Sequence, residues 1–211
     1  MSPKRRRSLR NAAFLNIPYD DQYEDLYLGF IAGLCGFGLI PRATVEIPSS
    51  ARRLDRIIKL IRGCHFSFHD LSRVELDPTP PATPRFNMPF ELGLAVAWAS
   101  TSRGQHEWFV FEAQPHRLNK SLSDLGGTDP YIHHATPRGV LSALANALSR
   151  RRHRPTVREL EAILADLQGA AVTIKQDLST ESLYAARPFR ELVVAAIESA
   201  RQRIPSLRPE G

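Results

Sequence analysis

The most regular alternation of apolar and polar positions lies in segment 51–63, ARRLDRIIKLIRG. Its leucines and isoleucines recur every three or four residues with charges between them, which predicts an amphipathic helix. Ser49 and Ser50 stand just before it and are candidate N-caps, because their hydroxyls can accept the first free amides of a helix. The glycine at position 63 is expected to end it.

The remaining apolar runs of the first 150 residues are short, as strands are. We predict strands at 12–17, 38–45, 64–70 and 107–112, with a weaker one at 131–134. Further helices are predicted from Asp20 or Asp21 to Leu34, and from Asn87 to Ser100. This alternation predicts an α/β domain over 11–150, with a flavodoxin-like (Rossmann-like) parallel sheet of about five strands and helices on both faces. Such sheets bind ligands beyond the carboxyl ends of their strands.

Residues 155–204 differ, because they carry two helical apolar stripes and no strand pattern. We interpret 155–204 as a helical appendage and 1–10 as a basic tail. The apolar surface of the two stripes is larger than a helix pair of this length would bury against a small sheet domain. Apolar surface that stays exposed indicates an interface. We therefore predict a homodimer formed through 155–204.

Composition narrows the class of protein. The 211 residues are 43% hydrophobic and 24% charged, which is typical of a globular chain. The two cysteines, Cys35 and Cys64, are too few for a disulfide framework and lack zinc-ligand spacing, so we expect a cytoplasmic protein without metal or cofactor. No run approaches 18 apolar residues, so no membrane partner is expected. The net charge of +6 suggests nucleic-acid binding as one possible function. Because the excess positive charge lies largely in 4–7 and 150–154, nucleic acid is an unlikely partner.

One carboxylate interrupts the apolar helix that begins near Asn87: Glu91, in FNMPFELGLA at 86–95. With Asn87 as N-cap, Asn87 and Glu91 project from the same side of the first turn, towards the carboxyl edge of the sheet. The positive end of the helix dipole would favour the ionised form of Glu91 there. The structural alternative is that Glu91 complements the dipole or pairs with Arg73 or Arg85.

The segment from Asp70 to Ala97, with DLS before its loop and RFNMPFELGLAVA after it, resembles the nucleoside 2-deoxyribosyltransferase-like superfamily and its relatives among Toll/interleukin-receptor-like NAD hydrolases. The resemblance depends mainly on the Glu-Leu-Gly of 91–93, on Asn87 and on Asp70. AFLNIPYDDQY at 13–23 is also similar to the first strand and turn of uncharacterised bacterial proteins of this group. The resemblance covers about residues 11–150.

This resemblance implies cleavage or transfer at an N-glycosidic bond, with Glu91 as nucleophile or oxocarbenium stabiliser and Asp70 on the sugar hydroxyls. A bond between ribose and a base breaks with oxocarbenium character, which a nearby carboxylate can stabilise or capture. The implied substrate is a nucleoside, a nucleotide or an NAD-type molecule. The chain departs from the family pattern in the insertion at 72–85, and no separate acid for the leaving base can be matched.

The first strand ends at the same edge with Asn16. Tyr19 could stack on a base and Asp20 or Asp21 could bind ribose hydroxyls, although turn and helix-cap roles are commoner for such residues. Alternation along the third strand sends His69 and Asp70 to opposite faces, and we expect Asp70 to reach the pocket. Arg73 and Arg85 could clamp a phosphate, although solvated loop arginines are commoner.

The proline- and threonine-rich loop 76–84 is predicted to be a lid beside Asp70 and Glu91. Two other functions stay open. One is a non-catalytic nucleotide sensor on the same fold, which signals through its helical region. The other is a basic protein that associates with nucleic acid.

Overall fold

The computed structural model describes residues 11–47, 52–74, 76–77 and 80–208, without the side chains of 76 and 77. The predicted caps Ser49 and Ser50, the basic tail 1–10 and part of the predicted lid therefore lie outside the described residues.

Five strands form one parallel sheet in the order β2-β1-β3-β6-β7. Its strands are β1 (Ala12–Asn16), β2 (Ile40–Ala43), β3 (Phe66–Asp70), β6 (Glu107–Glu112) and β7 (Tyr131–Ile132). Within the loop after β3, β4 (Leu76–Asp77) and β5 (Thr83–Pro84) form a short antiparallel pair that the sequence did not predict. The strand order and the all-parallel pairing confirm the flavodoxin-like α/β fold.

Seven α-helices connect and cover the sheet in the described residues. They are α1 (Glu24–Gly36), α2 (Arg53–Arg62), α3 (Asn87–Thr101), α4 (Arg117–Ser121), α5 (Pro137–Ala147), α6 (Val157–Asp177) and α7 (Ala186–Arg203). None of the helices described is long and apolar enough to span a bilayer. Helices α4 and α5 were not predicted, although Thr136 caps α5 through the amide of Gly139 and Pro137 opens it, which is a recognisable start signal.

The helices cover both faces of the sheet, as predicted. Helices α2 and α3 pack together on one face, and α3 contacts β1, β3 and β6. Helix α1 lies on the other face with α5, and α6 and α7 pack against the outer side of α1. Helix α1 is consequently buried almost all the way round, from Leu26 to Gly36.

The C-terminal helices belong to the same hydrophobic core as the sheet. Leu160, Ile163 and Leu192 join the cluster that contains Leu15 of β1 and Phe30 of α1. Two glycines of α1 allow this close packing, since a Cβ at Gly33 would meet Leu144 and one at Gly36 would meet Leu160. The segment 155–204 thus forms helices that pack in the same hydrophobic core as the sheet.

Candidate functional site

Glu91 lies in α3 at the carboxyl edge of the sheet, and its side chain faces inward. The residue is 7% exposed, and Met88, Leu92 and Ala95 accompany it on the buried face of the helix. Within the described part of the chain, no hydrogen bond or ion pair engages its carboxyl group. Its carboxyl oxygens are not among the fully enclosed side-chain atoms that lack a hydrogen bond, so burial removes most but not all of their contact with solvent.

The predicted cap of α3 is wrong in register. Phe86, with helical φ and ψ, occupies the N-cap position, the amide of Phe90 donates to its carbonyl at 3.0 Å, and Asn87 is the first helical residue. Glu91 therefore opens the second turn rather than lying in the first, and the effect of the helix dipole falls off within one turn.

Desolvation consequently decides the charge state of Glu91. Burial raises the pKa of Glu91 to about 7, and the positive charge of Arg53 opposes that rise only in part. The expectation that the dipole keeps this carboxylate readily ionised is corrected: at neutral pH the protonated and ionised forms are both well populated. A carboxyl group poised near neutrality at a ligand-binding edge is characteristic of reactive sites.

Two side chains from other elements lie near Glu91. Burial raises the pKa of the Tyr19 hydroxyl, with a further contribution from the negative charge of Glu91 and an opposing one from Arg53. The hydroxyl of Tyr19 lies 3.2 Å from Oγ1 of Thr44, which follows β2. Tyr19 from the first connection, Arg53 from α2 and Glu91 from α3 thus interact electrostatically at one edge.

Asn16 anchors β1 to the start of α3. Its Nδ2 donates to the carbonyl oxygen of Met88 and to Nδ1 of His69, both at 2.9 Å. Since Nδ1 accepts, the ring proton of neutral His69 is on Nε2, which is buried without a partner in the described residues. Burial, with a smaller effect of His106, lowers the pKa of His69 to about 3, so the ring is neutral. Asn16 therefore fixes the start of α3, the helix that carries Glu91, to the end of β1.

Asp20 is paired with both of the loop arginines that were expected to bind phosphate. Its Oδ2 lies 3.1 Å from Arg85 and 3.7 Å from Arg73. Arg73 also donates to Oε1 of Gln22 at 3.0 Å. The two arginines thus secure the loop after β3 to the turn after β1. Asn87 is exposed at the start of α3.

Asp70 does not lie with Glu91, which corrects the sequence-based choice. The alternation was predicted correctly, but His69 lies on the α3 side of the sheet while Asp70 faces α1. The Asp70 side chain is completely buried and accepts hydrogen bonds from the hydroxyl of Tyr23 and, at 2.7 Å, from the amide of Ser72. With its oxygens so engaged in the interior, we do not assign Asp70 to sugar hydroxyls.

Further polar groups complete the surroundings of Asp70. Nε2 of His133 lies 3.1 Å from Oδ2 of Asp70, and Nδ1 of His133 accepts the amide of Ala135 at 3.1 Å. The ring proton is therefore on Nε2, which makes no hydrogen bond among the described residues. Glu112 lies nearby: burial raises its pKa, the charge of Asp70 adds to the rise, and Arg117 and His133 counter it. We call Tyr23, Asp70, Glu112, Arg117 and His133 the buried polar network.

Tyr184, in the connection between α6 and α7, was not anticipated. Its hydroxyl donates to the backbone oxygen of Asp20 at 2.6 Å, and its ring centroid lies 5.7 Å from that of Tyr19. Arg53 was also missed. Both residues meet the site from segments distant in sequence, and no local pattern marks them. Among the described residues, no cluster of three or more His, Cys, Asp or Glu side chains could hold a metal ion.

Two aromatic side chains at the start of α3 are exposed. Phe86 and Phe90 are 64% and 54% exposed, and their spacing of four residues puts them on one face of α3. Large apolar side chains of soluble proteins are seldom so accessible in pairs without a binding role.

Comparison with solved structures gives a distant likeness. No family model matches the chain, and no curated protein matches it. A solved structure described as a 2-desoxiribosyltransferase from Leishmania mexicana is similar to it with a TM-score of 0.38 and 17% sequence identity, over 60% of this chain and 81% of that chain. A likeness of that size carries no functional argument.

Proposed function

We propose that the protein cleaves or transfers at the N-glycosidic bond of a nucleoside, nucleotide or NAD-type molecule, and that Glu91 is the reacting carboxylate. One observation carries the proposal: Glu91 is an almost buried carboxyl group, without a partner among the described residues, with a pKa near 7, at the ligand-binding edge of the sheet. Asp70 of the buried polar network, in contrast, accepts hydrogen bonds, and Glu112 lies 3.4 Å from Arg117, although its Oε2 accepts no hydrogen bond in the described residues.

The chemistry requires the ionised form of Glu91. As the bond between C1′ and the base nitrogen breaks, its electron pair leaves on the base. A purine or pyrimidine base then takes a proton from water, whereas the nicotinamide of an NAD-type molecule leaves neutral and needs none. The carboxylate stabilises the positive charge at C1′ or forms a bond to it. Water in hydrolysis, or a second base in transfer, then bonds to C1′ and releases Glu91. Activity should therefore rise with pH through about 7 as Glu91 loses its proton.

The surrounding side chains suit the rest of such a molecule. Tyr19 can donate its phenolic hydrogen to a sugar oxygen, and burial keeps that phenol protonated by raising its pKa. Arg53 can accompany a phosphate, if the substrate carries one. Phe90 offers an exposed ring for stacking with an aromatic base next to Glu91.

The test is to incubate the protein with a panel of nucleosides, nucleotides and NAD and to measure the released free base by chromatography. Glu91→Gln should lower the rate by roughly 10²-fold to 10³-fold or more, because the amide keeps the shape and loses the charge. Glu107→Gln is the matched control, since Glu107 lies at the opposite, amino edge of the sheet. If Glu91→Gln releases base as fast as the wild type, Glu91 is not the reacting group.

A nucleotide sensor on the same site is the second candidate, and Tyr184 favours it. Through Tyr184, the connection between α6 and α7 touches both Asp20 and Tyr19, so a ligand there could be felt by the C-terminal helices. Calorimetric binding of nucleotides by wild type and Glu91→Gln, without base release from the wild type, would support the sensor instead of the enzyme.

A further inference from the structure

The outer surface of the C-terminal helices has an apolar groove. It measures about 470 Å³ and lies between α6 and α7, with Ala170, Ile174, Val194 and Ala195 among its lining residues. Val194 is 54% exposed, and Val172 on α6 is 57% exposed. Surface β-branched residues grouped in this way are typical of protein contact surfaces.

The surface of α6 beside the groove carries no exposed charge between Gln168 and Gln176. The exposed positions there are Gln168, Gly169, Val172, Thr173 and Gln176. Lys175 in the same stretch turns away to pair with Glu24, at 2.7 Å. Interface centres are similarly depleted of charged residues.

Two charges of opposite sign flank Val194 on α7. Arg190 lies one helical turn before it and Glu198 one turn after it, and both line the groove. Within the described part of the chain neither has an ion-pair or hydrogen-bond partner, whereas Arg187 and Glu191 are paired at 3.0 Å.

We propose that this groove and the adjoining surface of α6 form an interface with a second copy of the chain, with the two-fold axis beside Val194. Two α7 helices that meet antiparallel about such an axis bring residue 194−k of one copy level with residue 194+k of the other. Arg190 of each copy then faces Glu198 of the other, so both unpaired charges gain an opposite neighbour twice. A second copy fits this surface because its charge pattern is self-complementary. The proposal is independent of the glycosidic function.

The same symmetry constrains how the helices cross. Arg187 lies seven residues before Val194 and Arg201 lies seven residues after it. If the two antiparallel helices lay side by side with their axes aligned, Arg187 of one copy would face Arg201 of the other, and like charges would meet. An inclined crossing of about 50°, the commonest packing class of helices in globular proteins, separates positions that far from the axis. We therefore expect α7 to cross α7 at an angle rather than to run alongside it.

Light scattering coupled to size exclusion, with analytical ultracentrifugation across a concentration series, tests the interface on the full chain. The wild type should be dimeric. Arg190→Glu and Glu198→Arg should each raise the dissociation constant by roughly tenfold or more, because each variant places like charges opposite each other twice. Arg158→Glu, an exposed reversal at the far end of α6, is the matched control and should leave the dimer intact.

Mixing the two variants gives the decisive result. In a mixed pair, the negative charge introduced by Arg190→Glu in one chain faces the positive charge introduced by Glu198→Arg in the other. The two unchanged residues, one from each chain, also face each other with opposite signs. An equimolar mixture should therefore recover the wild-type dissociation constant, while circular dichroism shows each variant folded. A monomeric wild type, variants that dimerise normally, or a mixture that stays monomeric would each overturn the proposal.

Discussion

Asp70 and Glu91 are two buried carboxyl groups at the same edge of one sheet, and their surroundings are opposite. Asp70 receives hydrogen bonds from Tyr23 and Ser72 and lies against His133. Glu91 shares the buried face of α3 with Met88, Leu92 and Ala95 and has the electrostatic influence of Arg53 and Tyr19. Burial alone therefore does not define a reactive carboxyl group. The difference lies in the hydrogen-bond donors. Asp70 accepts hydrogen bonds from the protein, so its charge stabilises the fold, whereas Glu91 accepts none in the described residues and can interact with a ligand.

The largest expected effect on stability belongs to Asp70. Asp70→Asn should lower the free energy of unfolding by about 3 kcal/mol, because it disrupts a buried charged network. The asparagine would set an NH₂ group against a donor, Tyr23 or the amide of Ser72. Urea denaturation measures the loss, with the exposed Asp124→Asn as control. A variant of Asp70 as stable as that control would contradict the structural role.

Glu91 should behave in the opposite way when pH is varied. Its native pKa of about 7 exceeds the ordinary 4.5, so the native state holds the proton more tightly than the unfolded chain between these values. Stability contributed by this group is complete below about pH 4.5 and is lost as pH rises through 7, by about 3 kcal/mol in all.

Glu91→Gln has no titrating group at this position. The free energy of unfolding of the variant, relative to that of the wild type, should therefore be higher at pH 8 than at pH 4.5. Urea denaturation of both proteins at the two pH values measures the change, and Glu107→Gln serves as the control. Parallel pH curves for wild type and Glu91→Gln would show that Glu91 titrates normally.

Tyr23→Phe sharpens the comparison by removing one donor from Asp70 while keeping its charge. The loss of a hydrogen bond to a charged acceptor should cost about 2 kcal/mol. Tyr131→Phe is the control, since the structure gives the Tyr131 hydroxyl no hydrogen-bond partner among the described residues. Equal unfolding midpoints for the two variants would mean that Tyr23 does not support Asp70.

The smallest expected effect concerns Phe90. If this ring stacks on a base, Phe90→Ala should raise KM by roughly tenfold with kcat nearly unchanged, and Phe90→Tyr should restore KM. Ile40→Ala, an exposed apolar change at the amino edge of the sheet, is the control. Steady-state kinetics on a cleaved substrate decide it, and an unchanged KM would remove Phe90 from recognition.

The sequence predicted the five strands of the parallel sheet and most of the long helices, because local periodicity marks them. It also predicted that neighbours His69 and Asp70 diverge, but not which of them faces α3, since that choice depends on how β3 is placed between its two helix layers. The register of α3 was misjudged at Asn87 because an asparagine there resembles a cap, whereas Phe86 already has helical backbone angles.

The surroundings of Glu91 could not be predicted in the same way. Its pKa depends on the balance between desolvation and the charge of Arg53, and both arise from tertiary packing. Tyr184 is 164 residues from Asp20 in sequence, so no spacing rule connects them. Helix α5 was different, since its Thr136-Pro137 start was visible and was overlooked.

The encasement of α1 has a consequence for biosynthesis. A nascent chain translated as far as residue 150 contains all five strands of the sheet, yet the outer side of α1 still lacks Leu160, Ile163 and Leu192. Partly synthesised sheets with uncovered apolar surface are prone to aggregation. We therefore expect productive folding to require α6 and α7, and a chain terminated near Arg154 should aggregate or need a chaperone rather than fold as a smaller domain.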